Sequence, residues 1–515
     1  MKGNRKRVQT MLAGMMMVSL LLTACSSGNG GSTATNATST SSASGETGKA
    51  KSNLKPYELT VAYYKIGNNK DLQEVQDAVN KLTKEKINAT VKFVPIDPAA
   101  YQQQINLMLA SNENLDLLVT LTALGYGTQA AKGQLVPLED LLKKYGPDIA
   151  KVVTPEIQKA TMASGKLYGI PSVRDWAADY GILMRKDIVD KYKIDLSKIK
   201  TFDDLDAVFK VVKDNEPNMA AIVPEGGGTS YIASIAPGFM DPLNDDNGVL
   251  PDHDNNLKVV NWFESKQYAD LLKMVRRWYL DGYIPKDIAT NKIRPEDLVK
   301  AGKAFSFTVH MKPGYETKEA ILTGTPMVAA RIIPPVTSTS SIANVMFSIA
   351  KNSKDPERAM MFLNLLYSDK ELINLIDYGI EGKHYVKKGD LISFPNGIDT
   401  QNATYSPNHG WEWGNQFLSY IWETDPITLW KDQADFNKSS KKSKALGFSF
   451  TVDPVKTEVA AVQSVKDQFK LGLETGTLDP DKNLPEFISK MKASGMDKII
   501  AEKQKQLDEW AKTNK

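Results

Sequence analysis

The chain has 515 residues, 42% of them hydrophobic, and its 64 basic and 61 acidic residues nearly cancel. Near-neutral charge gives no argument for a nucleic-acid partner, and the apolar content is that of a folded globular protein. The single cysteine, Cys25, excludes an internal disulfide and a zinc–thiolate site, so stability must come from core packing.

The first 25 residues have the pattern of a secretory signal. Four basic residues precede an apolar run from Met11 to Ala24, which has 14 residues. A membrane-spanning helix needs about 20, so this run is predicted to be the apolar region of a signal peptide at residues 1–24. Without those residues the chain would have 60 basic and 61 acidic residues, so its apparent basicity comes from the signal.

Leu22-Thr23-Ala24-Cys25 resembles the bacterial lipobox, an aliphatic residue and two small residues before a cysteine. The resemblance implies that Cys25 becomes the mature N-terminus and carries a lipid with acyl chains such as palmitate. Two acyl chains matter because one gives only marginal membrane binding. The alternative is an ordinary secretory signal with a chance cysteine. Residues 25–54 contain almost only small and polar side chains, so a disordered tether is predicted there.

The first part of the folded body alternates strands with helices. Strand patterns at 57–63, 90–94 and 115–120 flank helical stripes at 71–86 and 98–110. This β-α-β-α-β order predicts a parallel sheet with right-handed crossovers. Ligands of open α/β sheets bind at the carboxyl ends of the strands, which places Tyr64, Lys65 and Tyr126 on one rim.

The rest of the body repeats α/β patterns and then changes character. Strands are predicted at 302–310, 327–333 and 342–350, and residues 381–454 are irregular and dense in aromatics. Two long terminal helices are predicted at 455–473 and 486–513.

Motifs for catalysis and metal binding are missing. No phosphate loop, G-x-S-x-G or H-E-x-x-H occurs, and the four histidines have no metal-ligand spacing. No catalytic residue, metal or cofactor is therefore predicted. Asp195 and Ser197 with Asp203 and Asp204 have a spacing that calcium could use, but a turn and a helix cap is the simpler interpretation.

Several short motifs, none specific alone, occur in a recognisable order. They are Gly133-Gln-Leu-Val-Pro-Leu138, Gly165-Lys-Leu-Tyr-Gly-Ile-Pro171, Gly181-Ile-Leu-Met-Arg-Lys-Asp187, Thr201-Phe-Asp-Asp-Leu205, Gly302-Lys-Ala-Phe-Ser-Phe307 and Ile349-Ala-Lys-Asn-Ser-Lys-Asp-Pro356. Their order and spacing resemble family 1 of the bacterial extracellular solute-binding proteins, the sugar-binding components of ABC importers. The length and tail resemble the large subgroup of about 500 residues, which includes oligosaccharide binders.

The resemblance implies an α/β fold of the periplasmic-binding-protein (Venus-flytrap) type, with two lobes discontinuous in sequence and joined by a hinge. We expect an N-terminal lobe from residues 55–170 plus 331–380. The C-terminal lobe is expected from 171–330 plus 381–515, with the helical tail assigned to it. The hinge crossings are expected near 168–174 and 328–335.

Aromatic residues are the best candidates for a ligand site because a sugar has apolar faces and polar edges. The candidates lie on predicted cleft rims, at the expected lobe crossing and on a glycine-flanked loop; they are Tyr64, Lys65, Tyr126, Arg174, Trp176, His310, Trp411 and Trp413. The other tryptophans have helical spacing and are expected in the core. Arg331 could pair with a uronic acid or with a carboxylate of the protein.

The sequence therefore favours a receptor that binds a carbohydrate, in particular an oligosaccharide, and delivers it to the transmembrane subunits of an ABC importer. We expect a monomer, held by the Cys25 lipid on the extracellular face of a Gram-positive cell membrane, with no nucleic-acid partner. The alternatives are a receptor for a peptide or another small solute, a surface glycan hydrolase or lyase using residues such as Glu381 and Glu412, and a purely structural lipoprotein.

Overall fold

The computed structural model describes residues 54–514 except 112, 164 and 254–255. The predicted signal, the lipobox with Cys25 and the tether up to residue 53 lie outside the described residues. Within the described part of the chain, every helix is too short or too polar to cross a membrane.

Strands of very different length make up the described sheets. In chain order they are β1 (Tyr57–Tyr64), β2 (Asn68–Asn69), β3 (Ala89–Ile96), β4 (Leu117–Thr120), β5 (Met162–Ala163), β6 (Lys166–Leu167), β7 (Ile170–Pro171), β8 (Ala178–Arg185), β9 (Ala220–Val223), β10 (Ala304–Met311), β11 (Met327–Thr337), β12 (Met346–Ile349), β13 (Val386–Lys388), β14 (Leu391–Ser393), β15 (Tyr405–Ser406), β16 (Ile421–Trp422) and β17 (Lys441–Lys442).

Helices cover the sheets and form the C-terminal end. In chain order they are α1 (Leu72–Ile87), α2 (Pro98–Ala110), α3 (Tyr126–Ala131), α4 (Glu139–Tyr145), α5 (Pro147–Val152), α6 (Pro155–Lys159), α7 (Lys186–Lys191), α8 (Leu205–Asn215), α9 (Tyr231–Phe239), α10 (Lys266–Leu280), α11 (Pro295–Lys300), α12 (Tyr315–Thr323), α13 (Thr339–Ile342), α14 (Pro356–Leu365), α15 (Lys370–Tyr378), α16 (Leu429–Ser439), α17 (Lys456–Glu474), α18 (Pro480–Ala493) and α19 (Met496–Thr513). Short 3-10 turns occur at Thr122–Leu124, Leu196–Lys198, Trp262–Glu264, Gln416–Leu418 and Asp453–Val455.

The first large sheet has the order β3-β1-β4-β12-β7. β1 is parallel to β3 and β4, whereas β12 is antiparallel to β4 and β7. Its central strands carry almost continuous apolar runs, as expected for a sheet covered by helices on both faces. The predicted β-α-β-α-β unit is confirmed, and α2 spans the predicted residues.

The second large sheet has the order β17-β11-β8-β10-β9. β8 is antiparallel to β10 and β11, and β10 is parallel to β9. Successive β8 residues point to opposite faces, so Ile182 and Met184 join one buried cluster and Leu183 joins another. With the first sheet, this confirms the predicted two-lobed α/β fold.

Buried apolar clusters define the lobes, one in the first lobe and two in the second, of which the larger is called the second-lobe core. The first-lobe core takes residues from 59 to 176 and mostly from 342 to 413, and the second-lobe core takes residues from 180 to 336 and from 445 to 507. Three segments join the lobes: residues 172–177, residues 338–341, and residues 423–440 between β16 and β17, which include α16. The third junction was not expected.

The lobe boundaries differ from the expected ones at two places. β11 extends to Thr337 within the second sheet, so residues 331–337 belong to the second lobe. Residues 381–422 lie on the first lobe, where β15 pairs with β2 and Tyr378 donates a 2.8 Å hydrogen bond to the carbonyl of Tyr420. The reason is that the aromatic segment covers α15, an element of the first-lobe core.

Three terminal helices, rather than two, cover the second lobe. Gly495, with φ of +100°, lies between the end of α18 and the first residue of α19 and separates the two helices. A left-handed backbone at this position favours glycine. The helices pack on each other and on α10.

Candidate functional site

The gap between the lobes, hereafter the cleft, is bounded by one edge of each large sheet. In the first sheet, β1, β3 and β4 end at the edge where β12 begins after the 338–341 junction. In the second sheet, β9 and β10 end at the edge where β8 begins and β11 ends. The carboxyl ends of parallel strands from both lobes therefore face the junctions, which is where open α/β sheets bind ligands.

The first-lobe edge carries Tyr64 and Lys65 at the end of β1. The Tyr64 ring stacks on Tyr101 of α2, with 4.1 Å between centroids and 24° between planes, and is mostly buried. Lys65 is exposed, and its Nζ lies 3.7 Å from Asp97, which follows β3. This edge therefore offers an aromatic pair beside a loosely held charge pair.

Tyr126, predicted for the same rim, points into the lobe. It is 4% exposed, and its hydroxyl donates a short hydrogen bond to the carbonyl of Thr161. Burial raises the pKa of Tyr126 above its ordinary range. Its position is that of a core side chain near the cleft.

The second-lobe edge places His310 opposite Glu225, in the loop after β9. His310 Nδ1 lies 2.5 Å from Glu225 Oε1, and the imidazole is 59% exposed. The hydrogen bond to Glu225 raises the pKa of His310 above its usual value. A polar, partly charged pair at the end of two parallel strands can hydrogen-bond the hydroxyls of a ligand.

The junction at 172–177 holds Arg174 and Trp176. Trp176 is 9% exposed; its Nε1 donates to the carbonyl of Ser172 at 2.8 Å, and its backbone N–H donates to Asn437 Oδ1 at 2.9 Å. The Arg174 side chain is half-buried, with Nε 3.6 Å from Asp175 Oδ1. Both residues therefore help to fix the junction.

The loop at 408–413 separates its two tryptophans. Trp411 is partly exposed at the border of the first-lobe core, whereas Trp413 is 1% exposed and packs against Tyr63 and Phe93. Contact between Trp413 and a ligand would require this core packing to open. Trp411 keeps a ring surface that a ligand could reach.

Glu412, between these tryptophans, joins the loop to the cleft. Its Oε1 accepts a 2.9 Å hydrogen bond from the backbone N–H of Tyr64, and its carbonyl accepts one from Ser172. The carboxyl is completely buried, which raises the pKa of Glu412 well above its usual range. The neutral acid thus fastens a cleft strand and a junction to one loop.

The structure brings Lys65, His310 and Arg174 to the borders of the cleft. It leaves Trp411 partly exposed on the first-lobe core, beside Glu412, and it places Tyr126 and Trp413 in that core. It also adds groups that the sequence did not single out. They are Glu225, which meets His310; Asp179 and Glu316, which bind Arg331; and Phe417 with Trp430, half-buried rings whose centroids lie 5.9 Å apart. The partners of Glu225 and of Asp179 are distant in sequence, and the pairing of β10 with β9 and of β8 with β11 brings them together.

The possible calcium ligands have other roles. Asp195 Oδ1 accepts hydrogen bonds from the backbone and hydroxyl of Ser197, and Asp204 Oδ2 accepts from Lys200 and Thr201. Among the described residues, no three His, Cys, Asp or Glu side chains are grouped to hold a metal ion.

These two lobes with a cleft at their strand ends define the architecture of a solute-binding protein. A family model described as bacterial extracellular solute-binding protein matches residues 67–372. The chain belongs to that family. A second model, described only as a domain of unknown function, matches residues 444–512, which include the three terminal helices.

Relatives match over most of the chain. A carbohydrate ABC transporter substrate-binding protein of Streptococcus pneumoniae is 31% identical over 90% of this chain and 93% of its own. Lipoprotein LipO of Bacillus subtilis is 22% identical over 82% of this chain and 80% of its own.

A solved structure of another solute-binding protein is also similar to this chain. The N-glycan transport solute-binding protein NgtS of Streptococcus pneumoniae is 28% identical, with a TM-score of 0.79 over 90% of this chain and 100% of that one. Its complexes with Man1GlcNAc and Man5GlcNAc have TM-scores of 0.69 and 0.67 over 88% and 90% of this chain and 100% of each complex chain.

Proposed function

We propose that this protein binds an oligosaccharide in the cleft and delivers it to the transmembrane subunits of an ABC importer. The observation that carries the proposal is the convergence of both sheets' carboxyl edges on one gap, in a chain that resembles NgtS over 90% of its length. The relative named as a carbohydrate ABC transporter substrate-binding protein supports the same ligand class.

The groups at the cleft suit a sugar. Trp411, Phe417 and Trp430 are half-buried rings, and Trp430 is held in place because its Nε1 donates to the carbonyl of Ser419 at 2.7 Å. Fixed flat rings suit the apolar faces of pyranoses, and His310 with Glu225 can serve their hydroxyls.

Closure of the lobes is expected to accompany binding. The TM-score of this chain is higher with the NgtS structure described without a glycan than with either glycan complex. This difference supports an open form here and a different lobe arrangement in the bound state. Junctions of a few residues can absorb such a hinge motion.

Binding without chemistry is the favoured mechanism. The hydrolase alternative used Glu381 and Glu412 as an acid and base, but Glu412 is buried beneath Tyr64, and Glu381 forms a 2.7 Å ion pair with Lys387. The relatives are named as substrate-binding proteins, which are not enzymes. Incubation with glycans followed by product analysis tests this, and turnover would contradict the receptor.

The remaining parts of the proposal concern location. A lipid on Cys25 would hold a monomeric receptor on the outer face of a Gram-positive cell membrane, beside its importer. The name of the relative LipO, a lipoprotein, supports the anchor. Changing Cys25→Ser should release the protein from cells into the medium, and unchanged cell association would contradict the anchor.

Calorimetric titration of the full-length protein with neutral oligosaccharides, single sugars and peptides tests the ligand class. We expect saturable binding of oligosaccharides, and Trp411→Ala should weaken it about tenfold because a stacking surface is lost. Trp510→Ala is the matched control, because Trp510 packs on Phe448 in the second lobe. Binding of peptides alone, or equal effects of the two variants, would contradict the proposed site.

A further inference from the structure

We propose that the cleft selects neutral oligosaccharides and rejects those that carry uronate groups, because the charges on its second-lobe side already neutralise one another. The inference rests on the proposed function and names the ligand class of the same site. The groups concerned form what we call the charged wall: Arg174, Asp175, Asp179, Lys312, Glu316 and Arg331.

The charged wall lies where the second sheet meets the junctions. Asp179 is opposite Met311 near the start of β8, and Arg331 is opposite Gly181 on β11. Lys312 follows β10 directly, and Glu316 is in the first turn of α12. Arg331 and Glu316 each remain about one-third exposed, at 32% of their side-chain surface, so this wall is open to a ligand.

Arg331 has little capacity left for a sugar carboxylate. Its Nη1 donates to both oxygens of Asp179, at 2.8 and 2.6 Å, and its Nη2 donates to both oxygens of Glu316, at 2.8 and 2.9 Å. A guanidinium recognises a carboxylate through two parallel hydrogen bonds. Here Nη1 is taken by Asp179 and Nη2 by Glu316, so neither terminal nitrogen is free for such a pair, and two negative charges surround one positive charge.

The excess negative charge around Arg331 is balanced by an excess of positive charge around Asp175. Its Oδ2 accepts from Lys312 Nζ at 2.6 Å, and its Oδ1 lies 3.6 Å from Arg174 Nε. Here two positive charges share one negative charge. The charged wall as a whole contains three cations and three carboxylates, so it has no net charge.

The charged residues next to the charged wall are also paired with opposite charges. Glu225 is bound by His310, and Lys65 on the opposite lobe lies beside Asp97. A uronate entering this cleft would have to displace a carboxylate of the protein or lie beside one. Two like charges placed side by side repel, which discriminates strongly between ligands. A neutral hydroxyl, in contrast, can hydrogen-bond the outer lone pairs of the same carboxylates.

Calorimetric titration with a neutral manno-oligosaccharide and a mannuronate oligosaccharide of equal length tests the inference on the full-length protein. We expect the neutral ligand to bind and the uronate to bind at least about 100-fold more weakly. The double variant Asp179→Asn with Glu316→Gln frees Arg331, and it should improve uronate binding at least about tenfold.

Asp187→Asn is the matched control, because Asp187 binds Arg185 at the far end of β8 and should leave both affinities unchanged. If the double variant fails to fold, Glu316→Gln alone, at an exposed position, should give a gain in the same direction. Equal affinity of the unmodified protein for both ligands, or no gain in a folded variant, would overturn the inference and leave the receptor intact. Failure of every saccharide to bind would instead overturn the proposed function.

Discussion

At the scale of single residues, buried acids beneath the cleft determine how the binding surface is held. Asp377 of α15 is buried, and its Oδ2 accepts a short hydrogen bond from Ser419. A Cβ at Gly410 would come within 2.9 Å of that oxygen, so the loop approaches the acid as closely as a glycine allows. The acid and its loop thus form one packed unit with Glu412.

Asp377 makes stability depend on pH. Burial raises its pKa to about 7, so the folded protein holds a proton there that the unfolded chain releases near pH 4. This bound proton stabilises the folded state fully at acid pH, and the stabilisation is lost as pH rises through 7. Asp377→Asn mimics the neutral acid, and relative to the unmodified protein its free energy of unfolding should rise by about 2–4 kcal/mol between pH 4.5 and 8.

Urea denaturation at both pH values measures this change. Asp270→Asn, at an exposed residue paired with Lys266, is the control and should show no such trend. If Asp377→Asn and Asp270→Asn respond alike to pH, Asp377 is not protonated in the folded protein at neutral pH.

Single residues also show what the sequence could reveal about the site. Trp411 and Trp413 share a loop and a composition, yet one keeps an exposed ring and the other fills the core between Tyr63 and Phe93. Periodicity is absent in that loop, so nothing local distinguishes them. His310 and Lys65 could be predicted at the cleft edges because they lie at the ends of strands, and strand ends follow from the α/β pattern.

At the scale of elements, the terminal helices act as a clamp on the second lobe. Lys466 and Lys470 of α17 bind Asp246, and Lys503 of α19 binds Asp245 and the carbonyl of Gly248. Glu474 at the end of α17 accepts a hydrogen bond from Ser230, which caps α9 beside the Glu225 loop. The region matched only by a domain of unknown function thereby holds loops that lead to the cleft.

Lys503 is the clearest test of this clamp. Its side chain is 0% exposed, with Nζ 2.7 Å from Asp245 Oδ1 and 2.8 Å from the carbonyl of Gly248. Lys503→Met leaves those acceptors without their cation, so the free energy of unfolding should fall by about 3 kcal/mol or more. Urea denaturation measures it, with exposed Lys505→Met as control, and equal small losses would show that the clamp adds no stability.

Elements were also the scale at which sequence reasoning was most accurate. α2 spans the predicted residues, and β10 and β11 lie where apolar runs predicted strands, because these segments have strong periodicity. The two errors have different causes. Gly495 divides a helical pattern that looked continuous, and the continuation of β11 to Thr337 depends on pairing with β8 and β17, which no local pattern encodes.

At the scale of the whole molecule, the three junctions between the lobes are linked to one another. Asn437, in the third junction, binds the backbone of Trp176 in the first, and Thr337 and Ser440 share a 2.7 Å hydrogen bond between the other two. The three junctions are therefore tied to one another by hydrogen bonds, as a common hinge requires. The residue order of the lobes followed from the resemblance to the family, whereas the third junction required the folded chain.

The most direct test of the central claim is a crystal structure of the protein with a neutral oligosaccharide identified by calorimetry. We predict that the sugar lies between the lobes, with a ring against Trp411 and hydroxyls bonded to the His310–Glu225 pair, and that the lobes are closer than in the open form. A sugar bound on the outer surface of one lobe, or a cleaved sugar in the cleft, would contradict the account.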